Sequence, residues 1–66
     1  MKAKVLKFYG QGQKTKSKQI AAAAEFLGMT PQRIYGWHDE LTKLEKDGII
    51  AALYRKGVAV PSWILK

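Results

Sequence analysis

The sequence predicts an all-α fold: one small helix-turn-helix domain of about four helices, followed by an extended C-terminal tail. Three observations lead there. Apolar residues recur at helical spacing and give way at Gly10, Gly28 and Gly57, a residue type that ends helices by accepting backbone conformations a side chain disfavours. Hydroxyl residues precede the apolar runs, where they can cap helix N-termini. The 66-residue chain has no cysteine and one histidine, so neither disulfides nor a structural zinc site is expected and packed helices must hold it. This length suits one domain spanning 1–66.

The elements follow in order. Over residues 2–9, Val5, Leu6 and Tyr9 share one helical face and lysines occupy the rest; Gly10 and Gly12 stop that helix. Residues 10–16 are polar and aperiodic, a loop. Ser17 is the expected N-cap of a second helix through Leu27, whose alanines are strong helix formers, and Gly28 ends it. Thr30 caps a third helix with Pro31 at its first position, where a missing N–H is harmless; it continues to about His38, with Ile34 and Trp37 facing inward. Thr42 and Glu45 fit a capping box for a fourth helix to about Lys56, ended by Gly57. Leu44, Ile50, Leu53 and Tyr54 are expected on its apolar face, and Gly48 marks a kink or boundary. In the tail, 58–66, Pro61 argues against a helix and Val58–Val60 reads as extended.

Charge narrows the function classes. Twelve Lys and Arg against five Asp and Glu give a formal charge of +7, with a pI near 9.9. That is a strong bias toward a polyanion, although charge alone does not choose among DNA, RNA, anionic lipid and acidic protein. Lys2, Lys4, Lys7, Lys14, Lys16 and Lys18 fall in an N-terminal stretch without acids, whereas Asp39, Glu40, Glu45 and Asp47 cluster later. The apolar runs are too short to cross a bilayer, and the lysine-rich first helix is short for a membrane-surface role; a cytoplasmic location is expected. No nucleophile–base pair or phosphate-cradling glycine loop stands out. Neither an enzyme nor a cofactor is expected.

The stretch from 18 to 38 carries the function. Ala24 is small where two helices must approach, Leu27 closes the first, Gly28 turns, Met29 plugs the corner, and Ile34 and Trp37 pack the second helix back. The outer face of that second helix is left free, and the major groove is wide enough to receive it. Phe8-Tyr9-Gly10, then Ala24-Glu25-Phe26-Leu27-Gly28-Met29-Thr30-Pro31-Gln32-Arg33-Ile34-Tyr35-Gly36-Trp37, then Asp39-Glu40-Leu41, resembles the Cro-like repressors of phages and prophages over roughly residues 5–50. The loop Gly10–Lys16 is several residues longer than those proteins usually have, and the tail after Gly57 matches no Cro pattern. The resemblance implies a repressor that binds double-stranded DNA and blocks a promoter.

Residues early in the second motif helix are expected to reach base edges. Gln32 suits adenine; Arg33 suits guanine or a phosphate; Tyr35, outward and one turn on, suits a thymine methyl or a phosphate; Gly36 lets the backbone approach closely. Thr30 at the helix start, together with Lys14, Lys16, Lys18 and Gln19, is expected to contact phosphates. Trp63, Ile64 and Leu65 are too apolar for an exposed end, so they either close this chain's core or form a homodimer contact. His38 is expected to be helix-terminal or hydrogen-bonded and not a ligand or a catalyst. Two other readings stay open: a recombination accessory of the excisionase or transposase type, and a small phage factor that binds RNA polymerase.

Overall fold

The computed structural model describes residues 1–65 and consists of five helices in chain order: α1 (Lys2–Tyr9), α2 (Lys16–Leu27), α3 (Pro31–Tyr35), α4 (Lys43–Lys56) and α5 (Ser62–Leu65). No strand occurs among the described residues. The all-α expectation is met with one helix more than expected. Lys66, the last residue of the expected tail, lies outside the described residues.

Local chemistry explains the boundaries. Thr30 caps α3, its hydroxyl accepting from the Arg33 amide at 3.4 Å, with Pro31 at the first position. Thr42 and Glu45 form the capping box of α4: the Thr42 hydroxyl accepts from the Glu45 amide at 3.2 Å, and Glu45 Oε1 accepts from the Thr42 amide at 3.0 Å. Gly28 ends α2 in the left-handed region, φ 70°, which frees its amide to reach the Glu25 carbonyl while the Met29 amide reaches that of Ala24. An alanine there would be strained even though open space surrounds it.

Several expectations need correction. The N-cap of α2 is Thr15, whose hydroxyl accepts from the Lys18 amide at 3.3 Å; Ser17 lies inside the helix. The Gln19 side chain donates to the Gln13 carbonyl at 2.9 Å, which folds the loop onto the first turn of α2 and lets the helix begin earlier. Helix α3 ends at Tyr35, not near His38. Helix α4 runs unbroken through Gly48, and it is oriented differently from expectation: Ile49, Ala52 and Leu53 are buried, whereas Leu44 and Tyr54 are 81% and 79% exposed. At about 100° per residue, both stand about 140° around the helix from Ile49, away from the core. The tail is not fully extended, because Pro61 precedes the short helix α5 instead of preventing one.

The core gathers residues from every helix: Val5, Leu6 and Tyr9 of α1, Ile20, Ala23, Ala24 and Leu27 of α2, Ile34 of α3, and Ile64 of α5 join those of α4. Trp37 and Leu41 fill the link between α3 and α4. Ala24 is 2% exposed, so a larger side chain there would displace its neighbours. Met29 packs against the same cluster at the turn.

Candidate nucleic-acid interface

Helices α2 and α3 are joined by Gly28, Met29 and Thr30 alone. With Ile34 fully buried, the opposite side of α3 is surface: Gln32, Arg33 and Gly36 are exposed, and Tyr35 is 57% exposed. The inward assignment of Ile34 and Trp37 agrees with the structure, and it is this burial that turns Gln32 and Tyr35 outward.

Glycine at 36 is not required by the fold. Its φ is −79°, and a Cβ would meet only the Arg33 and Gln32 carbonyls at ordinary contact distances of 3.6 and 3.7 Å. The bare backbone is therefore available to a molecule approaching from outside. Arg33 points across a notch toward α4, where its guanidinium lies 3.4 Å from the position a Cβ on Gly48 would take. Gly48 thus gives the guanidinium room, at the roughly 1 kcal/mol a mid-helix glycine costs.

The notch between α3 and α4 is lined by Gln32, Arg33, Gly36, Leu44 and Gly48, above Trp37 and Met29. Leu44 belongs to this surface and not to the core, which sequence spacing missed. The signal was present but ambiguous, since Ile49, Ala52 and Leu53 offered a second apolar register at i, i+3 and i+4.

The expected phosphate-contact residues divide. Lys14, Lys16 and Lys18 are exposed around the start of α2, and no salt bridge joins them to an acid among the described residues. No acid stands in the first turn of α2. Cations beside the positive end of a helix are unfavourable unless an anion approaches. Gln19 differs: its amide nitrogen is engaged by the Gln13 carbonyl. Thr30 serves as the cap of α3. Lys14, Lys16 and Gln19 share a shallow cleft with Asp39, the one carboxylate in it.

Glu45 ties the connection behind α3 to α4. Besides the capping box, its carboxylate accepts from the His38 amide at 3.3 and 3.4 Å and meets His38 Nδ1 at 3.0 Å. The hydrogen bond from the Thr42 amide, reinforced by His38, holds the Glu45 carboxyl below its ordinary range. The expectation of a hydrogen-bonded His38 is met.

The three apolar residues of the tail do not act as one patch. Ile64 is 1% exposed and closes this chain's own core. Trp63 is half-buried, edge-on to Phe8 at 5.6 Å between ring centres, with the Lys4 ammonium 4.6 Å from its ring. Leu65 remains 62% exposed and lines a groove with Ile50, Tyr54 and Val58.

Among the described residues, no helix is long and apolar enough to cross a membrane. No protein-family profile matches the chain, and no curated protein or solved structure matches it either.

Proposed function

We propose that this chain is a sequence-specific double-stranded DNA-binding regulator that uses α2 and α3 as a helix-turn-helix. The observation that carries the reading is the outward face of α3. Gln32, Arg33, Tyr35 and the bare backbone of Gly36 are exposed there, and Lys14, Lys16 and Lys18 around the start of the preceding helix have no salt bridge to an acid among the described residues. Residues at the start of such a helix reach base edges in the major groove, and flanking cations fix its register on the phosphates. Phosphates would also relieve the like-charge conflict of Lys16 and Lys18 with the N-terminus of α2. The sequence resemblance of residues 5–50 to Cro-like repressors makes repression the proposed outcome of binding.

A homodimer completes the reading. Its contact is the groove of Ile50, Tyr54, Val58 and Leu65 at the C-terminal end of α4, and neither Ile64 nor most of Trp63 belongs to it. Helix α4 runs from the notch beside α3 to that groove, so a two-fold axis at the groove places the two reading helices on the outside.

Selection from a random double-stranded DNA pool at near-physiological salt tests the reading. A palindrome is the expected product, and Gln32→Ala is expected to relax preference at one position per half-site, at about 1–3 kcal/mol. Enriched direct repeats would instead support a recombination accessory. The absence of any enriched sequence would overturn base reading by α3.

A further inference from the structure

The N-terminal lysines do not all face a ligand. Lys2 is half-buried and turns inward: its ammonium donates to the Trp37 carbonyl at 3.1 Å and reaches the Tyr35 carbonyl at 3.4 Å. Its backbone amide donates to the Asp39 carbonyl at 3.0 Å. The start of α1 is thereby fastened to the chain directly after α3, more than thirty residues away in sequence.

Helix α3 needs such support. Five residues are too few to hold a helix without outside help. Its N-terminus has the Thr30 cap and its middle has buried Ile34. At its C-terminus the last carbonyls lack intrahelical partners and carry the negative end of the dipole, and Gly36 follows in ordinary right-handed geometry, without the left-handed closure that ends α2 and α4. A cation placed on these carbonyls satisfies them and neutralises the dipole end. One of the two carbonyls belongs to Tyr35, a residue of the reading face, and Gly36 lies between Tyr35 and Trp37.

We infer that Lys2 is a positioning residue for α3: it clamps the Tyr35 carbonyl at the end of the reading helix and the Trp37 carbonyl just beyond it, and so sets Tyr35 and Gly36 for the groove, without contacting DNA itself. This rests on the DNA-binding reading for its consequence but not for the clamp.

The test compares wild type with Lys2→Met and Lys2→Arg. In the free proteins, amide hydrogen exchange at Gly36 and Trp37 reads the last turn of α3, since these amides donate to the Gln32 and Ile34 carbonyls; amides of α2 serve as the internal control for folding. Lys2→Met is expected to lose protection at Gly36 and Trp37 while α2 is unchanged, and Lys2→Arg to restore it. On the selected DNA site, Lys2→Met is expected to bind about tenfold more weakly, with affinity for random DNA and the salt dependence of binding unchanged. A phosphate contact would behave differently. Losing one lowers affinity for both DNAs and reduces the salt slope by about 0.9, a result that would overturn the positioning role, as would unchanged protection at Gly36 and Trp37. If wild type selects no DNA site, the DNA-binding reading fails, and the exchange measurement still decides the clamp.

Discussion

Tyr9 shows how one side chain can be both necessary and imperfectly placed. Its ring is 5% exposed, stacks on Phe26 at 5.3 Å between ring centres and meets Phe8 edge-on at 4.9 Å. Its hydroxyl is buried with no hydrogen-bond partner among the described residues, and burial pushes its ionisation up. A buried hydroxyl left without a partner is a liability of about 1–3 kcal/mol. Tyr9→Phe, which keeps the ring, is therefore expected to leave melting unchanged or to raise stability by up to about 1 kcal/mol at neutral pH. The pH dependence has a defined sign. With a raised folded value, Tyr9 favours the folded state less and less as pH climbs above the ordinary tyrosine value of 10.0. The advantage of Tyr9→Phe in thermal melts should therefore grow from neutral to alkaline pH; a less stable Tyr9→Phe protein would show that the hydroxyl has a partner. Other residue-scale contacts settle lysines that composition alone would have assigned to a ligand: Lys2 on carbonyls, Lys4 on the Trp63 ring, and Lys56 on the Phe26 ring at 4.4 Å.

Between elements, Glu45 is the central connection. It caps α4 and holds His38, so the segment behind α3 is tied to the start of α4. Its lowered carboxyl value means that this contribution is present above the ordinary value of 4.5 and is lost as pH falls through the lower, folded value. Thermal melts of wild type and Glu45→Gln are expected to differ most near neutrality and to converge as pH falls through the lowered folded value. A difference that stays constant with pH would assign the effect to side-chain shape and not to charge. The caps of α3 and α4 were legible in the sequence because each joins groups within three residues. The start of α2 was not, since Thr15 and Ser17 are both competent caps and the choice came from the loop that Gln19 draws in. The faces of α4 were misread for a similar reason: two apolar registers coexist, and only the helices packed against it select one.

At the scale of the whole molecule, dimensions limit how two copies would share one DNA duplex under the proposed function. The protein measures 26 × 24 × 19 Å. Half-sites one helical turn apart are about 34 Å from centre to centre, which asks each reading helix to lie about 17 Å from the two-fold axis, within the reach of a molecule this long. Sedimentation of wild type is expected to shift from monomer to dimer with concentration, and Tyr54→Lys with Leu65→Lys to remain monomeric without loss of melting temperature, because both side chains are exposed. A wild type that sediments only as monomer while saturating a palindromic site would rule out this contact in solution.

The sequence by itself determined the helical class, four of the helices, the ends at Gly28 and Gly57, and the inward set of α1 and α3, because capping, chain reversal at glycine and short-range periodicity act within about one turn. It also brought α2, the turn and α3 into view as the proposed functional unit. Only the tertiary structure decided that Leu44 lies beside Gln32 and Arg33, that Ile64 seals the core while Leu65 stays outside, and that Lys2 holds the end of α3. These outcomes depend on which distant surfaces meet, and residues separated by thirty positions leave no local periodicity by which the meeting can be read.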